Sequence, residues 1–142
     1  LTNAISKKIF TLIALLFIST ICKAQNGNFP KASFAGKWER VQRFNNLVLE
    51  IKFEKDEDNA TVIDIGTGEA PSIIFKASVK ENKLVILPIH HQNDFYIEME
   101  VIKGKLHFRQ TLIIWDENGN FKIMENGLKT EKIYKRMRKS KV

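Results

Sequence analysis

A period of two runs through almost the whole chain after position 33, and that alternation dictates strands. In LVLEIKFE, residues Leu47, Leu49, Ile51 and Phe53 share one face while Glu50, Lys52 and Glu54 share the other, as on a half-buried strand. SIIFKASV repeats the pattern with Ile73, Phe75, Ala77 and Val79, and FYIEMEVI sets Phe95, Ile97, Met99 and Val101 against Tyr96, Glu98 and Glu100. FAGKWERV, ATVIDI, KLVILPI, LHFRQTLIIW, FKIM and EKIYKRM bring the count to about eight or nine strands. Turn-forming stretches separate them: KDEDN, GTGEAP, KEN, HHQND, KGK, DENGN and ENGLKT. No segment carries the 3.6-residue period of a helix. A meander of this kind closes as an up-and-down barrel or stacks as a sandwich. Closure removes unpaired strand edges, which favours the barrel. The expectation is one all-β domain over residues 34–138, a small antiparallel up-and-down β-barrel.

The first 24 residues read as an export signal. Lys7 and Lys8 precede a 13-residue run without charge, Ile9 to Ile21, and CKA then ends in a small residue, which places cleavage before Gln25. A membrane span needs roughly 18 or more apolar residues, so no stable span is expected here. Lipidation at Cys22 is the weaker alternative, because Ile21 stands where a small residue is wanted. The chain is therefore expected to be periplasmic or secreted. Residues 25–33, QNGNFPKAS, have turn composition and are expected to form a flexible lead.

Cleavage removes the single cysteine. Stability must then come from a packed core without disulfides. It also removes three lysines, leaving 20 basic against 16 acidic residues, and six of those basic residues lie from Lys132 onward. The basicity belongs to the C-terminus, with a basic tail at 139–142. That excludes a nucleic-acid binder, which needs a basic face with stacking aromatics across the fold. A weak contact between the tail and the cell envelope fits better.

FAGKWERV carries the most specific signal. Gly36 lets the chain turn sharply into the first strand, and the Trp38 indole can plug the narrow end of a barrel while its N–H finds a carbonyl. The spacing resembles the G-x-W signature of the calycins, the superfamily of lipocalins, fatty-acid-binding proteins and avidins. KIYKRM is similar to the closing strand of fatty-acid-binding proteins. The resemblance implies a lipocalin-like barrel in which a basic residue of the last strand, Arg136 or Arg138, stacks on Trp38. The chain departs from the family in lacking the helix pair of fatty-acid-binding proteins and the late helix of most lipocalins. Its mature length is nearer that of short bacterial lipocalin-like domains.

An eight-stranded barrel holds packed side chains or one small ligand. Phe53, Phe75, Phe95, Met99 and Phe108 lie on apolar faces, where they line a pocket or fill the core. Gln110 interrupts the face of Leu106, Phe108, Leu112 and Ile114 and needs a partner if buried. His90, His91 and His107, with Asp94, form the one metal-like group, but adjacent residues on an extended chain point opposite ways. No metal or cofactor is expected. GTGEAP precedes a strand rather than a helix, so it is a turn and not a phosphate cradle. The serines lack a nucleophile elbow, and an enzyme is not expected; were there one, His90, His91, Asp94 and Glu69 would be the groups to test. Two readings remain: an exported barrel that binds a small apolar or amphipathic molecule, and a non-catalytic structural or interaction domain of the cell envelope with a filled barrel.

Overall fold

The computed structural model describes residues 29–124 and 126–138; the segment expected to be an export signal, residues 25–28 of the expected lead and the tail expected at 139–142 lie outside them. A four-residue helix, α1 (Lys31–Phe34), leads into β1 (Gly36–Val41), β2 (Asn46–Phe53), β3 (Asn59–Gly66), β4 (Ile73–Lys80) and β5 (Lys83–Ile86). Then follow β6 (Phe95–Ile102), β7 (Lys105–Trp115), β8 (Phe121–Ile123) and β9 (Lys129–Arg136). Every pairing is antiparallel, and successive neighbours from β1 to β7 pair in sequence order. β9 returns between β7 and β1, which closes an eight-stranded barrel, while β8 is an extra strand on the last three residues of β7. The alternation of the sequence is thus the alternation of a closed barrel wall.

Two local features correct the sequence reading. The lead was expected to run to residue 33, yet residues 31–34 are helical. The reason is packing: the Phe29 ring stacks on Phe34 at 5.0 Å and meets Phe53 at 6.0 Å, and the Ser33 hydroxyl donates to the Pro30 carbonyl at 2.7 Å. The apolar run KLVILPI is also a strand only to Ile86. Beyond it the chain folds into a tight turn in which Asn93 bonds the Phe95 backbone through both its amide nitrogen and its oxygen.

The inward faces of the strands form one cluster. Trp38, Leu49, Ile51, Val62, Leu84, Ile97, Met99 and Leu106 are all buried in it, with Phe34 of the helix added from below. Ala60 and Ala77 are cross-strand partners within the cluster. The alternation of large and small residues suits the taper of a small barrel. The closing seam is the shortest contact in the wall, with two paired positions between β1 and β9, Trp38 with Arg136 and Glu39 with Lys135.

Candidate functional site

The barrel has two unlike ends. Strand directions place α1, the start of β1, the turns 53–59, 80–83 and 102–105 and the end of β9 at one end. The turns 41–46, 66–73 and 86–95 and the segment 115–129 lie at the other.

The first end is sealed. Trp38 is fully buried and its indole Nε1 donates to the Phe34 carbonyl at 2.7 Å. The Arg136 guanidinium lies 4.5 Å from the centre of the indole, in cation–π range. It also donates to the carbonyls of Ala35 (2.6 Å), Ala32 (3.3 Å) and Ser33. One side chain therefore covers the tryptophan, satisfies the open end of α1 and pins the short seam. Gly36 makes room for it: its φ of +122° is one that side chains rarely adopt, and a Cβ there would stand 3.1 Å from Arg136 Nη1. Arg138, the other candidate for this position, lies exposed beyond the last paired residue.

The second end is a mouth ringed by apolar side chains. Among the described residues, ten large apolar side chains remain exposed, and all but Ile133 lie here. Val41 and Phe44 stand on the first rim loop, with Phe44 84% exposed and the Arg43 guanidinium 5.4 Å from its ring. Ile73 and Ile74 come from the next, Leu87 and Ile89 from the third. Ile114, Ile123 and Leu128 complete the ring, and Ile114 and Ile123 help to line a depression of about 350 Å³ beside β8. Scattered surface hydrophobics are ordinary, but a ring of them confined to one end is not.

Inside the mouth the wall turns polar. Alternation puts Arg40 on the face of Trp38, Asp64 on that of Val62, and Lys132 on that of Tyr134. Tyr134 is only 2% exposed, with its ring edge-on to Phe108 at 6.2 Å. Burial, and then the charge of Asp64, push its hydroxyl up to about 12, while Arg40 pulls the other way. Lys132 Nζ lies 5.8 Å from the Phe108 ring centre. Asp64 accepts from the Gly66 backbone N–H at 2.9 Å.

The residues first singled out for the pocket separate along this axis. Met99 and Phe108 are cross-strand partners and fully packed in the core. Phe75 and Phe95 are half-buried against that core. Phe53 sits at the sealed end beside Phe29. Gln110 is half-buried between Ile97 and Thr130, whose hydroxyl is 3.5 Å away. Arg40, Asp64 and Lys132 were not singled out, although each is two residues from a core position on its strand. That spacing was the available signal.

His90, His91 and Asp94 gather at the rim around Trp115. His90 and His91 have ring centres 3.9 Å apart, His90 meets the Trp115 ring edge-on at 4.9 Å, and Trp115 Nε1 donates to Asp94 Oδ1 at 2.8 Å. Glu69 stands apart on the exposed 66–73 loop. His107 belongs to the outer wall, where its ring and Arg109 both bond Glu131 at 2.9 Å and hold that carboxyl below its usual range. Among the described residues no three His, Cys, Asp or Glu side chains are placed to hold a metal ion.

Fold and site together define an antiparallel eight-stranded barrel, sealed at one end and apolar-rimmed at the other. No family model, curated protein or solved structure matches the chain.

Proposed function

We propose that the protein is an exported, non-catalytic, lipocalin-like carrier that binds a small amphipathic molecule through the open end of its barrel. The observation that carries this reading is the difference between the ends. Trp38, Phe34 and Arg136 leave nothing at the sealed end unsatisfied, whereas the mouth keeps nine large apolar side chains in contact with water. Exposed apolar surface on this scale is costly to maintain unless something covers it. Ligand sites favour the mouths of barrels, and they combine an apolar lining with a few placed polar groups. Phe75, Phe95 and Gln110 stand between the packed core and the rim, and Arg40 and Lys132 supply the polar groups.

The G-x-W pattern and the basic last strand support assignment to the calycins, and the signal-like segment at residues 1–24 supports export to the periplasm or beyond. The test is native mass spectrometry of residues 25–142 purified from an exporting host without detergent, followed by organic extraction. A stoichiometric small molecule is expected. A protein that emerges empty and stays empty when offered fatty acids and alcohols of 8 to 16 carbons would leave the filled-barrel envelope domain as the better account.

A further inference from the structure

The barrel wall is left open beside its closing strand. β9 pairs with β7 from Lys129 to Lys135 but with β1 only at Lys135 and Arg136. The Met137 N–H donates to the Lys37 carbonyl at 2.9 Å, and the Leu112 N–H to the Leu128 carbonyl at 3.2 Å. Odd-numbered residues of β9 therefore turn their backbone groups towards β1, and even-numbered ones towards β7. On the mouth side of the two paired positions, Glu131 and Ile133 present N–H and C=O groups to an edge that no described strand takes up. β8 prolongs that edge. It lies on the same side of β7 as β9, because the Ile113 N–H donates on the other side to the Asp94 carbonyl at 3.2 Å. The Asp116 N–H donates to the Asn120 carbonyl at 2.8 Å, which leaves the backbone groups of Phe121 and Ile123 facing away from β7.

The side chains along this edge suit a contact. Val41 and Ile133, at the open part of the seam, are 68% and 44% exposed, and Ile123 is exposed beside the depression that it helps to line. Arg43, Lys122 and Lys129 are exposed and form no ion pair among the described residues. Glu131, the carboxylate on the edge, is already held by His107 and Arg109. An unpaired edge is a template for another strand, and strand addition draws affinity from main-chain bonds and specificity from alternate side chains. The lysines oppose a second copy, whose edge would set like charges across from one another. We infer that the open edge of β9 and β8 takes up an extended segment of a partner protein in which apolar and acidic residues alternate. The added strand covers Val41, Ile123 and Ile133, and its carboxylates meet Arg43, Lys122 and Lys129. The contact requires no ligand in the barrel, so it stands apart from the carrier reading.

The test offers the mature chain three labelled octapeptides at pH 7.5, read by fluorescence anisotropy: alternating Val–Glu, alternating Val–Lys, and the Val–Glu peptide with each amide N–H replaced by an ester oxygen. The Val–Glu peptide is expected to bind at least tenfold more tightly than either of the others. Lys122→Gln and Lys129→Gln should each weaken it about threefold, with an unchanged thermal midpoint showing that the variants are folded. Amide hydrogen exchange, followed by NMR, supplies the second readout. Phe121, Ile123, Glu131 and Ile133 should exchange quickly in the free chain, unlike Lys132 and Tyr134, and should slow at least tenfold when the Val–Glu peptide is added. Failure of that peptide to bind, or equal binding by the ester, would overturn strand addition. Equal binding by the Val–Lys peptide would overturn the acidic partner. Protection of the four amides that grows as the chain alone is concentrated would assign the edge to a second copy and overturn the proposal.

Discussion

Trp38 and Trp115 stand at opposite ends of one barrel. The first is fully buried, with its N–H given to a backbone carbonyl and its face covered by a guanidinium. The second is half-exposed among His90, Phe121 and the Asp94 carboxylate, on a rim where apolar side chains meet water. The difference is one of closure rather than composition. At the sealed end a short helix, a glycine and a single arginine close over Trp38. At the mouth the loops are longer and their apolar residues point away from the core. Packing is completed at one end, and apolar side chains are left exposed at the other.

The comparison breaks most visibly if Trp38 is removed. Trp38→Ala should cost about 3–5 kcal/mol, as for other large buried aromatics, measured by urea denaturation. A loss below about 1 kcal/mol would mean that the sealed end is not what holds the barrel.

The next largest effect is alkaline. Tyr134 has a folded-state value of about 12 against 10.0 for the free side chain. Its folded value is the higher one, so its contribution is fully present below pH 10 and is lost as pH rises through 10 to about 12. The gap is worth about 2–3 kcal/mol. Stability measured from pH 9 to 12 should fall more steeply for the native chain than for Tyr134→Phe.

Arg136 and Arg138 separate the sealed end from mere basicity. Arg136→Gln should cost about 2 kcal/mol, because it removes charge-assisted bonds to three carbonyls and the cover on the indole, while Arg138→Gln should change stability by less than about 0.5 kcal/mol. Equal effects would reduce the arginine to a surface charge. The smallest effects belong to the mouth. Phe44→Ser, Ile74→Ser and Leu128→Ser should each fall within about 0.5 kcal/mol of the parent, while weakening amphiphile binding.

Most of the wall was legible in the sequence, since a closed barrel requires the alternation that LVLEIKFE and FYIEMEVI display. The hairpin at Lys103 and Gly104 was legible too, because Gly104 in KGK is a turn signal between two alternating runs; both residues adopt positive φ, as a two-residue turn between twisted strands requires. Helix α1 was not. Four residues are too few to show a helical period, and Pro30 offers no side-chain cap; tertiary contacts of Phe29 and Phe34 hold it. The choice between Arg136 and Arg138 was hidden because two residues of equal charge and parity differ only in register, and register is set by the β1–β9 seam. The interior charges were hidden for another reason. Arg40 and Asp64 share their faces with apolar neighbours, whereas Lys132 shares its face with Thr130, Tyr134 and Arg136, so no single strand marks these charges as inward-facing.

The contrast between the two ends is tested most directly by acrylamide quenching of the two tryptophans, using the native chain and Trp115→Phe, before and after loading with decanoate. The account predicts that Trp38, alone in the variant, stays protected throughout, and that the quenching contributed by Trp115 falls when the ligand covers the mouth. Trp38 as accessible as Trp115, or a Trp115 signal that loading does not change, would contradict a barrel sealed at one end and filled through the other.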